Sequence, residues 1–106
     1  MSSDNEAFGL SVSDLQQIIS VFKAFPEIEQ ALIFGSRAKG TYKKGSDIDI
    51  ALIGQNLDTI VTAISYQLNQ ELLLPYFFDV VDYNSISHLD LKAHIDRVGK
   101  TIYTKN

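Results

Sequence analysis

The sequence contains no cysteine. Disulfides, thiolate metal sites and thiol nucleophiles are therefore excluded, although this absence does not locate the protein. No apolar run approaches the length that a membrane span requires. The stretch from Met1 to Gly9, with Asp4 and Glu6, lacks the basic and apolar pattern of a signal peptide, so a cytoplasmic protein is expected. Basic charge is also scarce: nine Lys and Arg against thirteen Asp and Glu leave a net charge of -4. That balance argues against broad, sequence-independent binding to nucleic acid, which depends on basic surface to neutralise phosphates. There is no internal repeat, linker or low-complexity tract. A chain of 106 residues, 45% of them hydrophobic, is long enough for one small core with a modest margin of stability.

The informative stretch is Gly35 to Asp49, Gly-Ser-Arg-Ala-Lys-Gly-Thr-Tyr-Lys-Lys-Gly-Ser-Asp-Ile-Asp. It joins an apolar run (Ala31 to Phe34) to a second one (Ile50 to Ile53). If Asp47 and Asp49 stand on a strand, alternation puts both carboxylates on one face and Ile48 and Ile50 on the other. Two such charges side by side resist joint ionisation unless a divalent cation neutralises them. Magnesium suits the task, because it takes oxygen ligands and completes its shell with water and substrate phosphates. Gly35 allows a sharp turn and a close backbone approach to a ligand. Ser36 adds a hydroxyl and an N–H at the start of a short helix, where anions are favoured.

This constellation resembles the nucleotidyltransferases of the DNA polymerase beta superfamily, whose signature is Gly-Ser, a spacer of about ten residues, then Asp-x-Asp. Gly35, Ser36, Asp47 and Asp49 match it, and the combination is far more specific than either half alone. The variant Gly35-Ser36-Arg37-Ala38-x-Gly40, with Ser46 before the first aspartate, is closest to the minimal nucleotidyltransferases. Those are small proteins often paired with a separate helical HEPN protein. The resemblance implies a mixed α/β (α+β) sheet with helices mainly on one face and a more open active-site face.

Read in order, residues 1–10 are expected to be a disordered tail and 11–106 a single domain. Leu15, Ile18, Ile19, Phe22 and Phe25 recur at helical spacing, with Ser13 and Gln16 as a capping box, and the helix ends near Phe25-Pro26. Strands are expected at Ala31 to Phe34 and at Asp47 to Ile53. A second long helix is expected from Asn56 to Leu74, stopped by Pro75. The third strand, Phe77 to Asp82, carries two aspartates on opposite faces, so only one can join Asp47 and Asp49. The resemblance implies a third metal-binding or base carboxylate on the strand beside Asp-x-Asp. Asp79, flanked by apolar residues, fits that place better than Asp82, which begins the exit turn with Tyr83, Asn84 and Ser85. Ser87 is expected to cap the last helix, which carries Leu91, Ile95 and Val98 on one face and stops at Gly99. His88 and His94 lie six apart and share no neighbouring face, so they read as surface or half-buried rather than as metal ligands. Ile102 and Tyr103 suit a short edge strand or a partner contact.

The chemistry implied by the resemblance is Mg2+-dependent transfer of a nucleoside monophosphate, with ATP as the default donor. Asp47 and Asp49 would bind two magnesium ions, Asp79 the catalytic one, and Asp79 is also the candidate proton acceptor. Gly35, Ser36 and Arg37 are the candidate triphosphate contacts, while Lys43 and Lys44 read as a solvated loop tip. The resemblance points to a HEPN-type partner with a tyrosine as acceptor and an antitoxin role for this chain, in a hetero-oligomer. The five tyrosines here (Tyr42, Tyr66, Tyr76, Tyr83 and Tyr103) read as fold surface or core rather than as self-modification sites. Two other readings stand beside it: a non-catalytic binding module that inhibits its partner by contact, and nucleotidyl transfer to a small molecule or RNA.

Overall fold

A computed structural model describes residues 7–105. Helix α1 (Val12–Lys23) leads into strand β1 (Ile28–Phe34), the short helix α2 (Gly35–Lys39) and strand β2 (Ile48–Gly54). Helix α3 (Asp58–Tyr66) continues as a π-helical turn (Gln67–Glu71) and is followed by strand β3 (Phe78–Asp82). A 3-10 turn (Tyr83–Ser85), helix α4 (Leu89–Val98) and strand β4 (Lys100–Thr104) complete the chain. The sheet has the order β3-β2-β1-β4, with β2 parallel to β3 and the other two pairings antiparallel. It is the mixed α/β sheet expected from the sequence.

Alternation along the two central strands divides the interior. Ala31 and Ile33 of β1, and Ile48, Ile50 and Leu52 of β2, face the main core, where Ile18, Val21 and Phe22 of α1 and Ile64 of α3 meet them. The Ile, Leu and Phe side chains among them, fully removed from water, contribute about 1.5–3 kcal/mol each. Phe34 and Ala51 face the opposite side and pack with Ile95 of α4, joined by Val81, Leu91 and Val98. Helices α1 and α3 thus cover one face, and α4 closes part of the other. No helix among the described residues is long and apolar enough to cross a membrane.

Several boundaries differ from the sequence reading. The α1 cap is Ser11, whose hydroxyl accepts the Asp14 N–H at 3.0 Å, not Ser13. An N-cap bond of this kind stabilises a helix by about 1 kcal/mol. The tail expected over 1–10 is corrected at its end: Ala7 and Leu10 bridge each other and Leu10 is fully buried, while residues 1–6 lie outside the described region. The second long helix is shorter in its α-helical part. The Leu72 N–H reaches the Gln67 carbonyl at 3.1 Å, and Leu73, at φ 58°, ends the turn before Pro75. The last helix is capped by His88, whose Nδ1 accepts the Leu91 N–H at 3.4 Å, rather than by Ser87.

Candidate active site

Strand alternation and parallel register bring Asp49 and Asp79 together, with Asp47 just ahead of the strand. In β2, Ile48, Ile50 and Leu52 point into the main core, which leaves Asp49 on the other face with Ala51. In β3, Phe78 and Val80 point into the main core, so Asp79 stands on the same face as Asp49. The register sets Asp49 directly opposite Asp79. Asp47, exposed, lies just before β2 on the same side. Burial, then the charge of Asp79, then that of Asp47 push the Asp49 carboxyl up from 3.8 to about 6. Like charges near a half-buried carboxylate favour its protonated form. Asp79 is exposed at the sheet edge, whereas Asp49, in a central strand, is half-buried. Asp82 lies outside the cluster and accepts from the Asn84 N–H at 3.2 Å and the Ser85 hydroxyl at 2.8 Å, as a strand-end residue should.

Gly35 is fixed by two separate demands. Its φ of 74° lies in the left-handed region, and a Cβ there would overlap the Asp49 carboxylate oxygen. The close approach follows from the β1–β2 register, which pairs Phe34 with Asp49 and so puts the turn beside the carboxylates. Ser36 is half-buried in the first turn of α2, whose N-terminus carries no side-chain cap. After Gly40 the chain forms an exposed tip that includes Lys43 and Lys44. This tip is closed by a Ser46 N–H bond to the Lys43 carbonyl at 2.9 Å and a Lys43 N–H bond to the Ser46 hydroxyl at 2.8 Å.

Arg37 departs from the sequence expectation. Only 3% of it is exposed. Nε and Nη2 donate to the Ser46 carbonyl at 3.1 and 2.9 Å, and Nη1 donates to the Phe8 carbonyl at 2.8 Å. The guanidinium also lies over the Tyr42 and Tyr76 rings, at 5.2 and 4.9 Å from their centroids. A triphosphate contact is therefore replaced by an internal one, because the planar fork is occupied by backbone and flanked by aromatic rings. Nothing in the local sequence marks Ser46, Phe8 or Tyr76 as its partners. His94 stands edge-on to Phe34 at 6.1 Å, and both histidines occupy packing or capping positions.

A cavity of about 430 Å³ is lined by residues including Tyr66, Asn69, Phe77 and Val80, between α3 and the outer edge of β3. Val80 faces the main core side, so this hollow does not contain the carboxylates, which lie on an open surface.

The polymerase beta nucleotidyltransferase family profile matches residues 16–106, most of the chain and all of the site. The chain belongs to the polymerase beta nucleotidyltransferase family. A search of curated proteins found no match. Among solved structures, a toxin–antitoxin with AMP-PNP is similar at 30% identity and TM-score 0.68, over 87% of this chain and 74% of that one. A tri-AMPylated HEPN toxin from Shewanella oneidensis in complex with its MNT antitoxin is similar at 25% identity and TM-score 0.66, over 89% and 72%. An MntA–HepT complex at 21% identity and TM-score 0.67 shares the fold. The antitoxin chains of these complexes are the neighbours of this nucleotidyltransferase domain.

For a nucleotidyltransferase the remaining question is whether the aspartates suit a metal. Among the described residues no three acidic or histidine side chains converge into a ready-made cage. Magnesium needs none, since it binds through one or two carboxylates and keeps water and substrate phosphates for the rest of its shell. Burial first, and then the charges of Asp79 and Asp47, raise the Asp49 carboxyl, and a divalent cation would relieve that penalty. The donor set therefore fits a hard cation completed by a substrate.

Proposed function

We propose that this chain transfers AMP from ATP to a hydroxyl, that the acceptor is a tyrosine of a HEPN-type helical partner, and that the transfer serves an antitoxin role in the cytoplasm. The observation that carries the proposal is the alignment of Asp49 with Asp79, beside Asp47 and against the Gly35 turn. A scaffold that only binds has no use for three carboxylates at such electrostatic cost. The AMP-PNP and tri-AMPylated neighbours support the choice of adenylyl transfer and of a HEPN partner.

Asp47, Asp49 and Asp79 would hold Mg2+, which when bound lowers the pKa of an attacking hydroxyl and screens the triphosphate charge. The Gly35 turn lets the chain approach the β and γ phosphates closely, and the Ser36 hydroxyl and N–H hold them. Asp79, exposed at the sheet edge, accepts the proton of the acceptor hydroxyl. The bond from acceptor oxygen to the α-phosphorus forms as the bond to the departing oxygen breaks, and pyrophosphate leaves. Tyr83, bonded to Asp96 at 2.5 Å, and Tyr103, packed on Phe22 at 5.9 Å, serve the fold.

The test is transfer from α-labelled ATP with Mg2+, using the protein together with whatever partner copurifies with it. Label on a partner tyrosine, lost in Asp47→Asn and in Asp79→Asn, is expected. A folded protein that binds the partner yet neither labels it nor releases pyrophosphate would leave inhibition by contact as the function. Retention of transfer in Asp79→Asn would remove Asp79 from the mechanism.

A further inference from the structure

We infer that Arg37 is a positioning residue, whose buried guanidinium holds the Ser46 carbonyl before Asp47 and packs on the Tyr76 ring before Asp79 so that the carboxylates share a divalent cation. The inference rests on the transferase reading for the use of the cation, and on geometry for the rest.

Asp47 stands outside the regular ladder. β2 begins at Ile48, whose N–H donates to the Phe77 carbonyl at 2.9 Å, and the residues before Asp47 form the exposed loop after α2. A loop holds a side chain accurately only where its backbone groups are fixed. Here the fixing group is the Ser46 carbonyl, which belongs to the peptide unit joined to Asp47 and accepts two guanidinium donors at 3.1 and 2.9 Å. That fork sets both the distance and the plane of the peptide. The same cation lies 4.9 Å from the Tyr76 ring, three residues before Asp79. Its third donor anchors the Phe8 carbonyl at 2.8 Å, and a Cβ on the neighbouring Gly9 would meet both Tyr42 and Arg37. The turn at residues 7–10 thus closes over the guanidinium and keeps it from water.

One side chain adjacent to the Gly35–Ser36 turn therefore joins the segments that deliver Asp47 and Asp79. A phosphate contact and a positioning role make opposite demands on the same guanidinium. A phosphate contact needs free donors, whereas the observed donors end on carbonyls.

The test is Mn2+ binding, read by electron paramagnetic resonance, in wild type and in Arg37→Lys and Arg37→Gln, with a non-hydrolysable ATP analogue present. Folding is checked by circular dichroism, and analogue binding is measured separately in EDTA. Arg37→Lys keeps the charge but loses the planar fork. The expected result is a Mn2+ affinity weaker by on the order of 10-fold, as for other residues that orient metal ligands, with metal-free analogue binding unchanged. If both Arg37 variants fail to fold, Tyr76→Leu keeps apolar volume and removes the ring stacked on the guanidinium; a weaker Mn2+ affinity is expected again. Unchanged Mn2+ affinity in a folded variant overturns the inference, as does a loss of metal-free analogue binding, which would mean a direct triphosphate contact. Wild type that binds no Mn2+ overturns it too. Arg37-dependent Mn2+ binding without any nucleotide transfer would sustain the positioning role and defeat the transferase reading.

Discussion

At the scale of single residues, the site is governed by Asp49, which the fold places where its charge is least welcome. Its carboxyl is raised from 3.8 to about 6, by burial first and by Asp79 and Asp47 next. A folded-state value above the unfolded one means that the folded protein binds the proton more tightly between those two pH values. Stability in the absence of metal therefore falls as pH rises from about 4 to about 6, and the full penalty persists above that window. Asp49→Asn should be more stable than wild type at about pH 8 in EDTA, and this advantage should shrink toward about pH 4, where wild type is itself protonated. Urea unfolding at the two pH values checks this, and an advantage that does not change with pH would contradict the assignment. Added Mg2+ should stabilise wild type at the higher pH and leave the variant unaffected. Asp49 and Gly35 stand out in the sequence because their residue types and spacing are unusual, and the fold sets them side by side. Their mutual dependence was not legible there: that a Cβ at Gly35 would strike the Asp49 carboxylate follows from the pairing of Phe34 with Asp49, a long-range register. Arg37 shows the same limit, since its partners lie nine and 29 residues away.

At the scale of elements, the least protected part of the site is β3. It is an edge strand, paired only with β2, and it carries Asp79. On its outer side Asn69 takes the place of a neighbouring strand: its Oδ1 accepts the Phe78 N–H at 2.8 Å and its Nδ2 donates to the Phe78 carbonyl at 3.0 Å. Asn69 lies in the π-helical turn, so the departure from α-helical geometry coincides with the residue that secures the edge strand bearing Asp79. Asn69→Ala leaves a part-buried N–H and carbonyl without their protein partner and should cost about 1–3 kcal/mol in denaturant unfolding. Transfer activity should fall more steeply than the folded fraction, because the strand that loosens is the one bearing Asp79. Activity that merely tracks the folded fraction would show β3 to be held by its ladder with β2 alone. The strands and helices were readable from periodicity, since Ile48, Ile50 and Leu52 alternate with Asp49 and Ala51, and α1 keeps a helical stripe. The π-helical turn was not readable, because Leu68 and Leu72 fit an unbroken helix equally well. Likewise Ser11 and Ser13 carry the same capping chemistry, and packing of Leu10 into the core decides between them.

At the largest scale, this small nucleotidyltransferase domain supports a cluster of carboxylates with little core to spare, so ligands that relieve the repulsion should be visible in its stability. Proteins of this size stand only about 5–15 kcal/mol above their unfolded state. A ligand that binds only the folded form at 100 times its dissociation constant adds about 2.7 kcal/mol. In a domain of this length each kcal/mol moves the melting temperature by roughly 4–8 °C, so saturation should raise it by on the order of 10 °C. The components should not act independently. Mg2+ held by two or three carboxylates exchanges shell water for phosphate oxygens, and the triphosphate meets less repulsion from Asp49 and Asp79 once the cation is bound. Mg2+ with a non-hydrolysable ATP analogue is therefore expected to raise the melting temperature by more than the sum of the two added separately. Asp47→Asn should lose that excess while keeping whatever the analogue contributes in EDTA. Additive shifts in wild type would mean that cation and nucleotide bind at separate places. The Asp47, Asp49 and Asp79 cluster would then be an electrostatic burden unrelated to the nucleotide.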